Sequence, residues 1–200
     1  MSTSVSKKRP YHHGDLHASL LHAARNILEK EGVEALSLRE AARRAGVSHN
    51  APYRHFPDRE SLLAALAADG FAQLGQAQRE AAARGGLRAM GEAYVCFALE
   101  HPQRFRLMFG GQVPIAKHAR LREVASRVFE GLSGALSARI PEAQGARDAS
   151  IAAWALVHGL AQLLLEDRIA SAAKRGRDDA TFVREVLASI RFATGPAQPA

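Results

Sequence analysis

Apolar residues recur along this chain at spacings of three and four, without the polar and β-branched alternation of strands, so the pattern predicts an all-α protein. Leu16, Leu20, Ala24, Ile27 and Leu28 share one face of a first helix that opens near Asp15 and stops at Gly32. Ser37, with Glu40 three residues later, has the form of a capping box for a short second helix ending at Gly46, and Ser48 caps a third through about Phe56. Pro57-Asp58 then starts a long helix carrying Leu62, Leu63, Leu66, Phe71 and Leu74 as far as Arg84-Gly85-Gly86. Further helices are expected over Leu87 to Glu100, Pro102 to Phe109, Ala116 to Ala138, Ala146 to Ala173 and Asp179 to Ala193, about nine in all.

At 200 residues the chain can bury a core without covalent staples. Its one cysteine, Cys96, sits in an apolar run and reads as a small core hydrophobe. No apolar stretch follows Lys7, Lys8 and Arg9, and no run of about 18 apolar residues is evident, so cytoplasmic residence without a membrane partner is expected. The formal net charge of +7 suits an anionic partner. The first 60 residues hold ten Lys or Arg against seven acids and also six of the nine histidines, which can donate hydrogen bonds to phosphate even when neutral.

The stretch from Ser37 to Ser48 suits a helix-turn-helix. Ala41, Ala42 and Ala45 permit close helix packing, Gly46 permits the positive φ of a sharp turn, Val47 fills the bend and Ser48 caps the incoming helix. His49, Asn50 and Ala51 then occupy the first turn, the part of a recognition helix that meets base edges. Asn50 suits adenine, His49 a purine acceptor and the Ala51 methyl thymine. Pro52 is expected to distort that first turn without breaking the helix. Tyr53, His55 and Arg59 suit phosphates, as do the free N–H groups near Ser37 and Ser48, and Arg39 completes the expected DNA-binding set. Phe56 reads as core, and Tyr53 as a packed ring with its hydroxyl outward. His12, His13 and His17 lack the companions of a metal site, and neither a metal nor a cofactor is expected.

The run Ala45-Gly46-Val47-Ser48 followed by Tyr53-Arg54-His55-Phe56-Pro57-Asp58-Arg59-Glu60-Ser61-Leu62-Leu63 resembles the signature of TetR-type repressors, as does Tyr11-His12-His13-Gly14-Asp15-Leu16. The resemblance implies that His49, Asn50, Ala51 and Tyr53 approach DNA while Ser37, Ser48, His55 and Arg59 serve phosphates. Trp154-Ala155-Leu156-Val157-His158-Gly159 is similar to the Trp–His–Gly motif of one TetR C-terminal subfamily, and His101 to Phe109 also looks typical of it. The implied organisation is a basic arm over 1–12, a DNA-binding domain over 13–60, a helical effector-binding and dimerisation domain over 61–193, and a disordered tail over 194–200. It also implies a ligand-responsive homodimer on a palindromic operator.

In the second half, Met90, Tyr94, Phe97, Phe105, Met108, Phe109, Trp154, His158 and Gln162 combine aromatic bulk with a few polar groups, as a pocket for a small apolar or aromatic effector does. Packed core would use the same residues. Leu156, Leu160, Leu163 and Leu164 on one helix, with Phe182, Val186, Leu187 and Ile190 on another, offer more apolar surface than one helical pair hides, so they are the expected dimer interface. Gly-x-Ser-x-Gly, phosphate-cradling glycine loops and His-Glu-x-x-His are absent, so no catalytic residue is expected. A helical adaptor that binds only proteins is the remaining rival.

Overall fold

The computed structural model describes residues 16–140 and 142–190. The basic arm, the tail, His12, His13 and the expected end of the last helix at Ala193 lie outside them. Among the described residues all regular structure is helical: α1 (Leu16–Glu31), α2 (Leu38–Arg44), α3 (Arg59–Glu100), α4 (Pro102–Phe109), α5 (Ala119–Ser137), α6 (Ala143–Leu165), α7 (Ser171–Lys174) and α8 (Asp179–Ser189), with short 3₁₀ turns at Pro52–Arg54 and Ile115–Lys117. Two compact units divide the chain after Leu62.

In the first unit, Leu20, Ala24, Ile27 and Leu28 of α1 are fully buried with Leu36, Ala41, Ala42 and Phe56. The small side chains of α2 are those at the packed face, as their size predicts. Ser37 caps α2 by accepting the Glu40 N–H at 3.1 Å. The reciprocal half of a capping box is replaced, because the Glu40 carboxylate turns to Arg43 and Arg44. Gly46 has φ +69°, which lets the Val47 N–H reach the Ala42 carbonyl at 3.0 Å and the Gly46 N–H reach Arg43 at 3.2 Å. This left-handed cap satisfies the last carbonyls of α2 and turns the chain sharply.

The expected third helix is different. Pro52 has no N–H to return to the carbonyl of Ser48, which instead accepts from Ala51 at 2.9 Å. The segment contracts to turns and one 3₁₀ turn over Pro52–Arg54, with Ala51 and His55 still in right-handed backbone. An α-helix from Ser48 to Phe56 is therefore not formed. Asp58 accepts the Ser61 N–H at 2.7 Å and starts α3 where the sequence places it.

In the second unit, α3 bends at Gly86, where φ +68° and ψ −153° separate the two segments that the sequence suggests. A Cβ at Gly70 would lie 2.6 Å from Met108 Sδ, so glycine there permits α4 to lie close on α3. The helix expected from Ala146 to Ala173 ends at Leu165 without a glycine. Asp167 adopts φ +50°, and the Asp167 and Arg168 N–H groups return to Leu164 and Leu163 at 3.2 and 2.8 Å. Aspartate can occupy this left-handed position, which is why the stop is hard to read. α6 is long and apolar enough by length and composition to cross a membrane, although Gln144, Arg147, Asp148, Ser150, His158 and Gln162 interrupt its apolar residues. Only 28% of its most apolar window is buried.

Candidate functional site

The first unit exposes Ser48, His49 and Asn50 on the turn that follows Gly46, with Ala51 half-buried beside them. Ser48 Oγ accepts the Asn50 N–H at 3.4 Å, a long bond that fixes the start of the turn. Tyr53 is 49% exposed whereas Phe56 is buried, so the turn divides its aromatics between surface and core. His17 stacks on Phe56 with centroids 5.0 Å apart and meets His55 edge-on at 5.8 Å. That contact steadies His55 near the chain's surface.

Arginines in this unit do different work. Arg43 and Arg44 clamp Glu40, and Arg44 also reaches Glu31 of α1 at 2.9 Å. Hydrogen bonds from Arg43 and then Arg44 hold the half-buried Glu40 carboxyl down to about 2, so it stays charged at any ordinary pH and cancels part of their field. Arg39 and Arg54 are exposed and have no carboxylate partner among the described residues, which leaves both cations available. Arg54 is absent from the set expected from the sequence, although its place between Tyr53 and His55 is the signal that could have found it.

Arg59 holds the fold as well as offering charge. Its Nε donates to the Leu36 carbonyl at 2.7 Å and Nη2 to the Val33 carbonyl at 2.6 Å, closing the loop between α1 and α2 onto the start of α3. Spacing alone could not reveal this contact across 23 and 26 residues.

The second unit encloses a cavity of about 560 Å³. Met90, Tyr94, Phe109 and Trp154 line it, whereas Phe97, Phe105 and Met108 are buried core and neither His158 nor Gln162 reaches its wall. Phe71, Gln78, Val128, Phe129, Leu132, Leu136 and Arg139 complete much of the lining. Sequence spacing puts Phe71 on the long helix without marking it as a pocket residue and offers no sign of the α5 contribution, because α5 reaches the cavity only through tertiary packing.

Beside the cavity, Trp154 Nε1 donates to Tyr94 Oη at 3.2 Å, and Tyr94 Oη lies 2.9 Å from His158 Nδ1. An indole N–H can only donate, so Tyr94 Oη accepts from Trp154; in the His158 tautomer with Nδ1 unprotonated, the Tyr94 O–H donates on to the imidazole. Burial keeps both groups neutral, pushing the Tyr94 phenol up and holding His158 below the ordinary imidazole value. Tyr94→Phe should leave the indole N–H and the imidazole nitrogen unpaired and cost about 1–3 kcal/mol in denaturant unfolding. His158 should contribute stability fully above about pH 6.5, lost as pH falls through its lower folded value. A His158→Gln chain with the same acid limb as the parent would contradict that assignment.

Of the residues expected between subunits, Leu163 is 48% exposed, Leu156, Leu160, Val186 and Ile190 are half-buried, and Leu164, Phe182 and Leu187 are already buried within the chain. Ile151 and Trp154, at 51% and 39%, extend the exposed apolar surface along α6.

Residues 20–66 match the family described as bacterial regulatory proteins of the tetR family, and residues 87–189 match a tetracyclin repressor-like C-terminal domain. The HTH-type transcriptional regulator Rv1816 of Mycobacterium tuberculosis is 30% identical over 135 residues, 62% of this chain. That match spans 57% of the relative's length. A protein of unknown function from Rhodococcus sp. RHA1 is 35% identical with a TM-score of 0.75, covering 91% of this chain and 96% of that one. The putative regulatory protein SCO4313 is 26% identical with a TM-score of 0.69, over 87% and 93% of the two chains.

Proposed function

Because this chain belongs to the TetR family of regulators, we propose that it is a sequence-specific DNA-binding transcriptional regulator, a ligand-responsive dimeric repressor on a palindromic operator. The observation that carries this reading is the exposed turn Ser48-His49-Asn50, held out from the first unit by the positive-φ cap at Gly46. Asn50 presents a donor and an acceptor suited to adenine, His49 a donor to a purine, and the Ala51 methyl a contact for thymine. Arg39, Arg54, His55 and Arg59 serve phosphates, with Tyr53, Ser48 and the capped start of α2 at Ser37 beside them.

The apolar surface of α6, with the accessible part of α8, is the face for a second copy of the chain. Two-fold pairing there would form a four-helix bundle and set the recognition turns about 34–36 Å apart, or a near multiple, to meet successive major grooves. Intracellular DNA as the target makes the cytoplasm the working compartment. The protein acts by binding, without catalysis.

An effector in the cavity of the second unit regulates the DNA-competent state by binding it and its alternative unequally. α3 carries residues of both units and is the route. Selection from a randomised duplex pool at moderate salt tests the central claim. An inverted repeat should emerge, and Asn50→Ala should weaken specific binding more than nonspecific binding. Recovery of no preferred sequence would refute the reading.

A further inference from the structure

The cavity's lining carries information about its occupant, and the inference rests on the cavity being the effector site. We propose that it takes an amphipathic carboxylate, with an apolar body inside and its acidic head on Arg139, and discriminates against organic cations. At about 560 Å³ the space falls within the range of about 300–1,000 Å³ typical of small-molecule sites. Its wall is built from groups such as Phe71, Phe109, Phe129 and Trp154, and among the described residues that line it there is no Asp or Glu. A cation entering would shed water without gaining a counter-charge.

Charge on the lining is of the opposite kind. Arg88 and Arg139 both contribute to it, but Arg88 is shared with Glu92 at 3.5 Å. Arg139 has no carboxylate partner among the described residues, and its Nη1 reaches only the Ala135 carbonyl at 3.3 Å. A Cβ at Gly86 would lie 3.4 Å from Arg139 Nη2, so the guanidinium rests against the bend of α3 beside Gly85, which also lines the cavity. The fork of an arginine matches the two oxygens of a carboxylate, and exposure at the edge of the space lets the head keep part of its water. Gln78 adds a second polar group. It is 5% exposed, borders the cavity, and its side-chain carbonyl meets no donor, so a hydroxyl on the ligand body would have a use there.

Aromatic walls can also attract cations through their ring faces, which makes the sign of the ligand's charge the deciding measurement. Trp154 is the only tryptophan in the sequence and lines the cavity, so its fluorescence in the full chain reports occupancy. The probes are decanoate, decanol and decyltrimethylammonium, each below its aggregation concentration. Decanoate should bind about tenfold tighter than the other two, Arg139→Gln should erase that advantage while leaving decanol within about twofold, and Arg139→Lys should restore part of it. Arg139 is exposed, so these variants should fold. Cation binding as tight as decanoate binding, or a decanoate preference that survives Arg139→Gln, overturns the proposed ligand class while leaving the effector site standing. If none of the three probes changes the Trp154 signal, the effector-site reading fails with it.

Discussion

Phe105→Ala is expected to lower the unfolding free energy of the second unit by about 3–5 kcal/mol, the largest effect of any single truncation considered for this chain. Phe105 is fully buried, and its ring lies 4.8 Å from Phe109, 5.5 Å from His158 and 5.7 Å from Tyr94 by centroid distance. Removing it takes away apolar burial and leaves a hole among rings that cannot all collapse into the space. The same rings hold Tyr94 and His158 in the hydrogen-bonded row with Trp154, so the loss extends to the cavity wall. Guanidinium unfolding followed by Trp154 emission reads this unit directly, because the first unit contains no tryptophan. A midpoint shift equivalent to less than about 1 kcal/mol would mean that the aromatic cluster does not hold the unit together.

Arg59→Ala should both destabilise the first unit and weaken DNA association at every sequence. Two guanidinium bonds, an exposed one to Val33 and a part-buried one to Leu36, close the loop between α1 and α2, and solvent around them limits the combined loss to about 1–3 kcal/mol. Loss of the charge should also flatten the salt dependence of binding if Arg59 meets a phosphate. Arg59→Lys separates the two roles, because it keeps the charge but cannot span both carbonyls. Calorimetric melting of the pair, with binding measured over a salt series, gives both quantities. Unchanged melting of Arg59→Ala would dismiss the loop-closing role, and an unchanged salt slope would dismiss the phosphate role.

Local chemistry made parts of this molecule legible from sequence. Gly46 permits one unusual backbone angle, Asp58 caps the next N–H groups, and the apolar positions of α1 fall on the face that is buried. Each is decided within a few residues. Pro52 shows where local reasoning stopped short: a distorted first turn is what its ring predicts, but the N–H it withholds from the Ser48 carbonyl shifts the segment to shorter-range bonds and prevents the helix. The end of α6 depends on Asp167 occupying a position usually left to glycine, so composition gave no marker there. Tertiary contact decided the rest. Five of nine pocket candidates do not line the cavity, and Gln78, Phe129 and Arg139 do, because the approach of α3 and α5 determines which side chains border the open space.

The exposed apolar side of α6 has a consequence for abundance. In the proposed dimer a newly made subunit gains its full stability only after meeting another, so the folded fraction rises with chain concentration by mass action. Dilute copies would be the ones unfolding and reaching proteases. Scarcity would then deplete the regulator faster than dilution alone, giving control of its target a threshold in dosage.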